Sequence, residues 1–222
     1  MGQMIILTAR DGHQLDAYQA QPEGKARGGV VVVQEIFGVN SHIRRVADGY
    51  AADGYRVIAP ALFDRVRRDI QLAYTDADIG KGRSIREQVT FDQALADVAA
   101  AQQALRETGN VGVVGYCWGG TVTWLSAARL PGFVAASSYY GGGIGKFAGE
   151  HPQCPTLCHF GEKDHAIPST EVDAVRSANP EVQVFLYPAG HGFNCDARGS
   201  YDAGAAALAR ERTLAFFRTH VG

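Results

Sequence analysis

The segment from Val111 to Gly120 places a cysteine at the spacing of a nucleophile-bearing turn. Its branched apolar residues at 111–114 predict a buried strand, and residues 121–129 have the composition of a helix. Gly115, Cys117 and Gly119 have the G-x-nucleophile-x-G spacing, in which the glycines let strand and helix pass closely. Backbone N–H groups at the helix N-terminus would favour a thiolate or an oxyanion. Cys117 is therefore a candidate nucleophile, with a buried structural cysteine as the alternative.

Two further groups follow predicted strands in the order that a catalytic triad requires. Asp164 comes after the strand predicted at 155–160, and His191 comes after the strand predicted at 182–187. The order nucleophile, acid, histidine is that of α/β-hydrolases. His191 would exchange a proton with the Cys117 thiol, and Asp164 would orient the imidazole. A structural histidine in a turn and a helix-capping aspartate are the separate alternatives, but the three residues together predict a hydrolase site.

Alternating strands and helices must position these residues. The pattern predicts an α/β fold, a mostly parallel sheet of about eight strands with an antiparallel pair at its start and helices on both faces. The strands are expected at residues 4–8, 15–20, 30–33, 55–60, 111–114, 133–139, 155–160 and 182–187.

Three helices carry further expectations. Ser41 can cap the first helix, and a long helix is expected from Ser84 to near Gly109. The C-terminal helix should turn one apolar face to the sheet. That face comprises Ala207, Leu214, Phe217 and Val221.

Other side chains are candidates for substrate binding. Glu35 directly follows a predicted strand, so it should lie at the sheet edge where open α/β folds place their chemistry; a solvated loop residue is the alternative. Residues 61–83 show no clear period and carry several arginines, which is typical of a binding loop or lid. Arg67 and Arg68 could bind an anionic substrate; solvated surface charge, the more common fate of an arginine, is the alternative.

Composition excludes several classes of protein. The chain has 222 residues, is 46% hydrophobic and contains no linker-like segment, so one domain spanning 1–222 is expected. A net charge of -2 with both signs interspersed predicts no nucleic-acid or membrane partner, and hence a small-molecule substrate. The lack of a leader or membrane-length apolar run predicts a cytoplasmic protein. The four cysteines lack zinc-ligand spacing, which predicts reduced thiols and no metal.

Several motifs together resemble the dienelactone hydrolase (carboxymethylenebutenolidase) family, and the resemblance covers nearly the whole chain. These motifs are Gln34–Asn40 (QEIFGVN), Gly115–Gly120 (GYCWGG), Tyr139–Gly141 (YYG), Ala189–Phe193 (AGHGF) and the tail from Ala205 to Phe217. The resemblance implies a minimal α/β-hydrolase without a cap domain. Such an enzyme uses a Cys-His-Asp triad and no cofactor to cleave a lactone or ester of a small molecule, as a monomer or weak homo-oligomer.

The resemblance also implies roles for individual residues. Glu35 would interact with Cys117, keep it a protonated thiol at rest, and take its proton when substrate moves the carboxylate. Backbone N–H groups of Ile36 and Trp118 would form the oxyanion hole. The residues expected to bind substrate are Tyr139, Arg67, Arg68, Phe37 and Tyr74.

One departure from the family pattern concerns the substrate. Enzymes of the family that take dienelactone hold its carboxylate with two arginines, one of them shortly after the catalytic histidine. Here Cys195 stands four residues after His191, and Arg198 lies near but off register. The motifs therefore predict hydrolase chemistry, but they do not predict that dienelactone is the substrate. A non-catalytic binding protein on the same fold, or a thiol redox protein using Cys117 with a second cysteine, are the alternatives.

Overall fold

A computed structural model describes residues 2–222 and confirms the predicted mostly parallel sheet. Its eight strands lie in the order β1-β2-β4-β3-β5-β6-β7-β8. Strands β1 and β2 pair antiparallel, β2 also runs antiparallel to β4, and the other pairs are parallel. The bounds are β1 Gln3–Thr8, β2 Gln14–Ala20, β3 Gly29–Val33, β4 Arg56–Pro60, β5 Val111–Tyr116, β6 Phe133–Tyr139, β7 Thr156–Gly161 and β8 Gln183–Tyr187.

Helices cover both faces of the sheet. They are α1 Ser41–Ala52, α2 Asp76–Arg86, α3 Phe91–Leu105, α4 Trp118–Arg129, α5 Ser169–Ala178 and α6 Ala203–His220. Every residue of the central strand β3 is buried, as its unbroken run of branched residues predicts. Val30 and Val32 pack in the core cluster that includes α1 and α6, whereas Val31 and Val33 pack in the cluster that includes α3. Successive side chains of β3 point to opposite faces of the sheet, so this strand contributes to the core clusters on both faces.

The expectation of an irregular segment at 61–83 was wrong. A 3₁₀ turn occupies Leu62–Arg65, and α2 begins at Asp76, where the Thr75 side chain accepts a hydrogen bond from Asp78 N. Only Gly82 and Ile85 of α2 are buried. So small a buried face produces no apolar period, which explains why the sequence pattern concealed this helix.

The helix expected from Ser84 was wrong in its start. The structure has two helices there, and α3 starts at Phe91. Thr90 and Gln93 form a capping box, in which each side chain bonds the other residue's backbone N–H. In a continuous helix these two N–H groups would bond to backbone carbonyls of the preceding turn. Because side chains bond them instead, a separate helix begins here.

The expected cap of α1 was also wrong, and the expected face of α6 was wrong at Ala207 but confirmed at Phe217 and Val221, which are buried. Asn40, and not Ser41, caps α1 by accepting a hydrogen bond from Ile43 N at 3.2 Å. In α6 Ala207 is exposed, and the buried stripe runs through Ala206, Ala209 and Thr213. Because Thr213 is polar, the apolar pattern of the sequence does not reveal that it belongs to the buried face of α6. Within residues 2–222, no helix combines the length and apolar character needed to cross a membrane.

Candidate active site

The turn between β5 and α4 holds Cys117 in a strained backbone conformation. Cys117 has φ 57° and ψ -121°, in the left-handed half of the map that a side chain rarely adopts. Its N–H donates to Tyr139 O at 3.0 Å, which ties the turn to β6. A Cβ on Gly115 would overlap the carbonyl oxygen of Gly119, and one on Gly119 would overlap that of Gln34. Contact between strand and helix therefore requires glycine at both positions.

The three residues predicted as a triad meet at the carboxyl edge of the sheet. His191 Nε2 lies 3.2 Å from Cys117 Sγ, and His191 Nδ1 lies 2.7 Å from Asp164 Oδ2. Asp164 Oδ1 accepts a hydrogen bond from Ala166 N at 2.8 Å, and Ser200 Oγ donates to His191 O at 2.6 Å. A backbone N–H thus holds the Asp164 carboxylate, and the Ser200 hydroxyl holds the backbone of His191.

Electrostatics favour a charged His191. Burial by itself lowers the pKa of the imidazole, but the adjacent Cys117 sulfur and Asp164 carboxylate outweigh burial and raise the pKa of His191 to about 10. At neutral pH the imidazole is therefore protonated and faces the sulfur. A charged imidazole at this distance is placed to donate a proton to a leaving group.

Glu35 is fully buried and pairs with groups other than Cys117. Arg198 Nη1 lies 3.3 Å from its Oε1, and the Tyr74 hydroxyl donates to its Oε2 at 3.4 Å. The expected contact between Glu35 and Cys117 does not occur among the described hydrogen bonds, where the Cys117 sulfur is held by His191. The implied role of Glu35 as a gate for the thiol stays a prediction.

Arg198 enters this site although sequence reasoning placed it off register. The chain after His191 turns back at Gly192, which has φ +77°, and Cys195 N donates to Gly192 O at 2.9 Å. A Cβ on Gly192 would overlap the Arg198 guanidinium. The glycine therefore lets the arginine pass over the turn to reach Glu35, which a count of residues from His191 does not reveal.

A cavity of about 280 Å³ opens on Cys117 and His191. Arg83, Arg86 and Arg198 contribute cationic groups to its wall. Arg83 and Arg86 lie on α2, so the sequence could have revealed them only if that helix had been recognised. The remaining wall is formed by Ile36, Phe37, Ile79, Trp118, Gly142 and Ala166.

Three of the predicted residues line this cavity beside the triad. Ile36 and Trp118 are on its wall, and within the described residues neither backbone N–H donates to a protein acceptor. The Trp118 ring stacks on Phe63 with centroids 5.6 Å apart. Phe37 also lines the cavity, with the Arg198 guanidinium 5.7 Å from its ring centroid.

The other predicted substrate-binding residues lie outside the cavity wall in the described part of the chain. Arg68 pairs with Asp16 at 3.0 Å, and Arg67 is exposed. Tyr139 is buried and its hydroxyl lies 2.7 Å from Thr213 Oγ1. Tyr74 lies behind the site, where it reaches Glu35.

Sequence reasoning passed over Tyr140, which contacts His191. Its ring lies edge-on to the imidazole, with centroids 5.2 Å apart, and its φ is 37°. The hydroxyl is buried without a hydrogen-bond partner among the described residues. The YYG motif was the available signal, but it does not tell which tyrosine faces the triad.

A second cluster of donor groups lies next to Glu35. Glu35, His42 and Cys195 are all buried, and one donor atom from each lies within 4.8 Å of the other two. His42 comes from α1 and Cys195 from the segment after His191, so the fold brings together residues that are far apart in the chain. Carboxylate, imidazole and thiolate are all zinc ligands.

The eight-stranded sheet, with a strained turn after its central strand β5, defines an α/β-hydrolase fold. Residues 15–221 match the model of the Dienelactone hydrolase family, and the chain belongs to this family. The carboxymethylenebutenolidase of Pseudomonas putida is 34% identical, over 96% of this chain and 94% of its own length. A Synechocystis protein assigned to the carboxymethylenebutenolidases is 37% identical, over 98% of this chain and 96% of its own length.

Solved structures show the same relationship. The crystal structure of a Klebsiella pneumoniae protein assigned to the dienelactone hydrolases has a TM-score of 0.85 and 31% sequence identity, covering 98% of this chain and all of that one. The protein is therefore a hydrolase of carboxylic esters or lactones, and its substrate is a small molecule.

Proposed function

We propose that the protein cleaves its ester or lactone through a thioester on Cys117. The Cys117 thiolate attacks the carbonyl carbon, and the tetrahedral oxyanion collapses as the C–O bond breaks. The leaving alkoxide takes a proton from His191, and in a lactone it stays attached as the ring opens. His191 then removes a proton from water, which hydrolyses the thioester and restores the thiolate. The contact chain Cys117–His191–Asp164, at 3.2 and 2.7 Å, is the observation that carries this mechanism.

The oxyanion would be held by the backbone N–H groups of Ile36 and Trp118. Both residues line the cavity beside Cys117, and Trp118 is the first residue of α4, so its N–H has no intrahelical acceptor. One such donor contributes about 3 kcal/mol of transition-state stabilisation.

Gln34 positions one of these donors. Its side chain is fully buried, with Oε1 accepting from Leu62 N at 3.1 Å and Nε2 donating to Glu35 O at 3.2 Å. The carbonyl of Glu35 and the N–H of Ile36 belong to one trans peptide and point in opposite directions. By fixing that carbonyl, Gln34 keeps the N–H turned toward the cavity.

Gln34→Met is therefore expected to slow ester hydrolysis by about 10- to 100-fold in kcat, because the peptide that supplies one donor is released. Alkylation of Cys117 by iodoacetamide forms no oxyanion, so its rate should stay within about twofold of the wild-type rate. Parallel measurement of both rates checks this. Equal loss in both reactions would show a general disturbance of the site instead.

We infer further that the substrate is anionic and that arginines of α2 bind it. Arg83 and Arg86 line the cavity, and Arg83 has no acidic partner among the described salt bridges. Arg67 and Arg68, first expected in this role, lie outside the wall, and Arg68 already pairs with Asp16.

The double variant Arg83→Ala/Arg86→Ala is expected to raise KM for an anionic ester about 10-fold or more, because charge-assisted hydrogen bonds are lost. KM for a neutral ester of the same size should change little. Arg67→Ala/Arg68→Ala is the matched control and should leave both constants near wild type. If KM for the anionic ester rises only in the control, Arg67 and Arg68 bind the substrate and the arginines of α2 do not.

The mechanism is tested with wild type and Cys117→Ala acting on p-nitrophenyl acetate and dienelactone. Wild type should hydrolyse at least one of them, and the variant should lose activity to the background rate. Mass spectrometry of rapidly quenched wild type should find the acyl group on Cys117. Equal hydrolysis by both proteins would exclude Cys117 as the nucleophile.

A further inference from the structure

We propose that Glu35, His42 and Cys195 form a binding site for a zinc-type divalent cation behind the hydrolase cavity. One donor atom of each lies within 4.8 Å of the others. Zinc bonds of about 2.0–2.3 Å place tetrahedral donors roughly 3.5 Å apart, so side-chain shifts of about 1 Å complete the site. A mixed thiolate, imidazole and carboxylate set favours zinc over magnesium or calcium. The site does not depend on the hydrolytic mechanism proposed above.

His42 is arranged as a metal ligand. Its Nδ1 lies 3.3 Å from Asp196 Oδ1, the outer carboxylate contact that commonly orients a ligating histidine. Its Nε2 is buried without a hydrogen-bond partner in the described part of the chain, and the residue is only 4% exposed. An unpartnered buried nitrogen costs free energy, and a cation would satisfy it.

Cys195 and Glu35 supply the charge that the cation needs. Cys195 is a free and fully buried thiol. On binding, the S–H bond is replaced by a sulfur–metal bond and the proton passes to solvent. Glu35 keeps Oε1 on Arg198 and offers Oε2, which holds only a 3.4 Å contact with Tyr74. Dication, thiolate and carboxylate sum to no net charge, so the nearby Arg198 does not oppose the complex.

His42 also borders a cavity other than the one beside Cys117. A separate cavity of about 320 Å³ is lined by His42, Asn194 and Asp196. Cys117 is not among its lining residues, so we expect an ion to enter beside His42, with a water as its fourth ligand.

The test is titration of chelator-treated, reduced protein with Zn²⁺ by calorimetry and with Co²⁺ by absorption. Wild type should bind one ion with micromolar or tighter affinity, release a proton, and give a cobalt–thiolate charge-transfer band. Cys195→Ser and His42→Ala should each weaken binding at least 100-fold, and Asp196→Asn about 10-fold, as outer-shell changes do.

Cys117→Ser and Cys158→Ser are the matched controls, because they remove the catalytic thiol and another buried thiol. Both should keep the ion and the charge-transfer band. If His42→Ala fails to fold, Cys195→Ser and Asp196→Asn still test the site. Binding lost in Cys117→Ser but kept in Cys195→Ser, or no binding at micromolar Zn²⁺, overturns the proposal.

Discussion

Replacing Asp164 by Asn is expected to lower kcat by about 10³- to 10⁴-fold in a chain that stays folded. The amide fits the space of the carboxylate, but it can turn its NH₂ toward His191 Nδ1, which Asp164 now contacts at 2.7 Å. The imidazole then carries its proton on Nε2 and cannot take one from Cys117 or water. In the serine-protease triad the same replacement leaves the histidine in the wrong tautomer and lowers kcat by a factor on the order of 10⁴.

The same variant should change the dependence of activity on pH. The Asp164 carboxylate helps to raise the pKa of His191 to about 10, so its loss lowers that pKa. The alkaline limb of the pH–rate profile should move to lower pH. Folding raises the pKa of His191, so protonation of this residue stabilises the folded state. That contribution to the free energy of unfolding is complete below the ordinary histidine pKa of about 6.5, and it is lost as pH rises through about 10.

Steady-state kinetics and thermal unfolding across this pH range check both expectations. Asp173→Asn is the control, because Asp173 is an exposed acid of α5. It should leave kcat and the pH profile unchanged. A kcat within tenfold of wild type in Asp164→Asn would show that the carboxylate does not orient the catalytic imidazole.

Gly115→Ala is expected to reduce the free energy of unfolding by about 3 kcal/mol, the upper range for overpacking a tight core. The added Cβ would overlap Gly119 O in the first turn of α4 and lie too close to Thr123 Oγ1. The Gly119 carbonyl belongs to the backbone, so it cannot move aside as the end of a flexible side chain could. Strand β5 and α4 would separate, and Cys117 would lose its position against His191.

Denaturant unfolding and the alkylation rate of Cys117 measure the two effects. Gly80→Ala is the matched control, because Gly80 lies in α2 with open space around its Cα. Alanine favours a helix over glycine by about 1 kcal/mol, so this control should be slightly more stable than wild type. Equal stability of wild type and Gly115→Ala would contradict the close-packed turn.

The strands could be predicted because burial leaves a strong mark in their composition. Strands β3 and β5 are buried along their whole length and read as branched apolar runs. The candidate triad followed from the same pattern, since each of its members comes soon after a strand end. Helix α2 could not be predicted, because a helix that buries only Gly82 and Ile85 has no apolar stripe.

The partners of Glu35 could not be predicted either. Its place after β3 was readable, but the groups that surround it come from α1, from the chain before α2 and from the turn after His191. Arg198 reaches it only because the backbone reverses at Gly192. Contacts of this kind depend on the path of loops in three dimensions, which hydrophobic periodicity does not encode.

Helix α2 also has a consequence for how the enzyme could diversify. The residues proposed for bond cleavage follow β5, β7 and β8, whereas Arg83, Arg86 and Ile79 of the cavity wall belong to α2. This helix contributes little to the core. It packs closely against the segment after β3 at Gly82, whose Cα faces the carbonyl of Ile36. Under the proposed roles, the arginines that recognise substrate and the residues that cleave the bond belong to separate stretches of chain. Sequence drift or exchange within residues 76–86 can redirect the choice of substrate while the reacting groups and the scaffold beneath them are inherited intact.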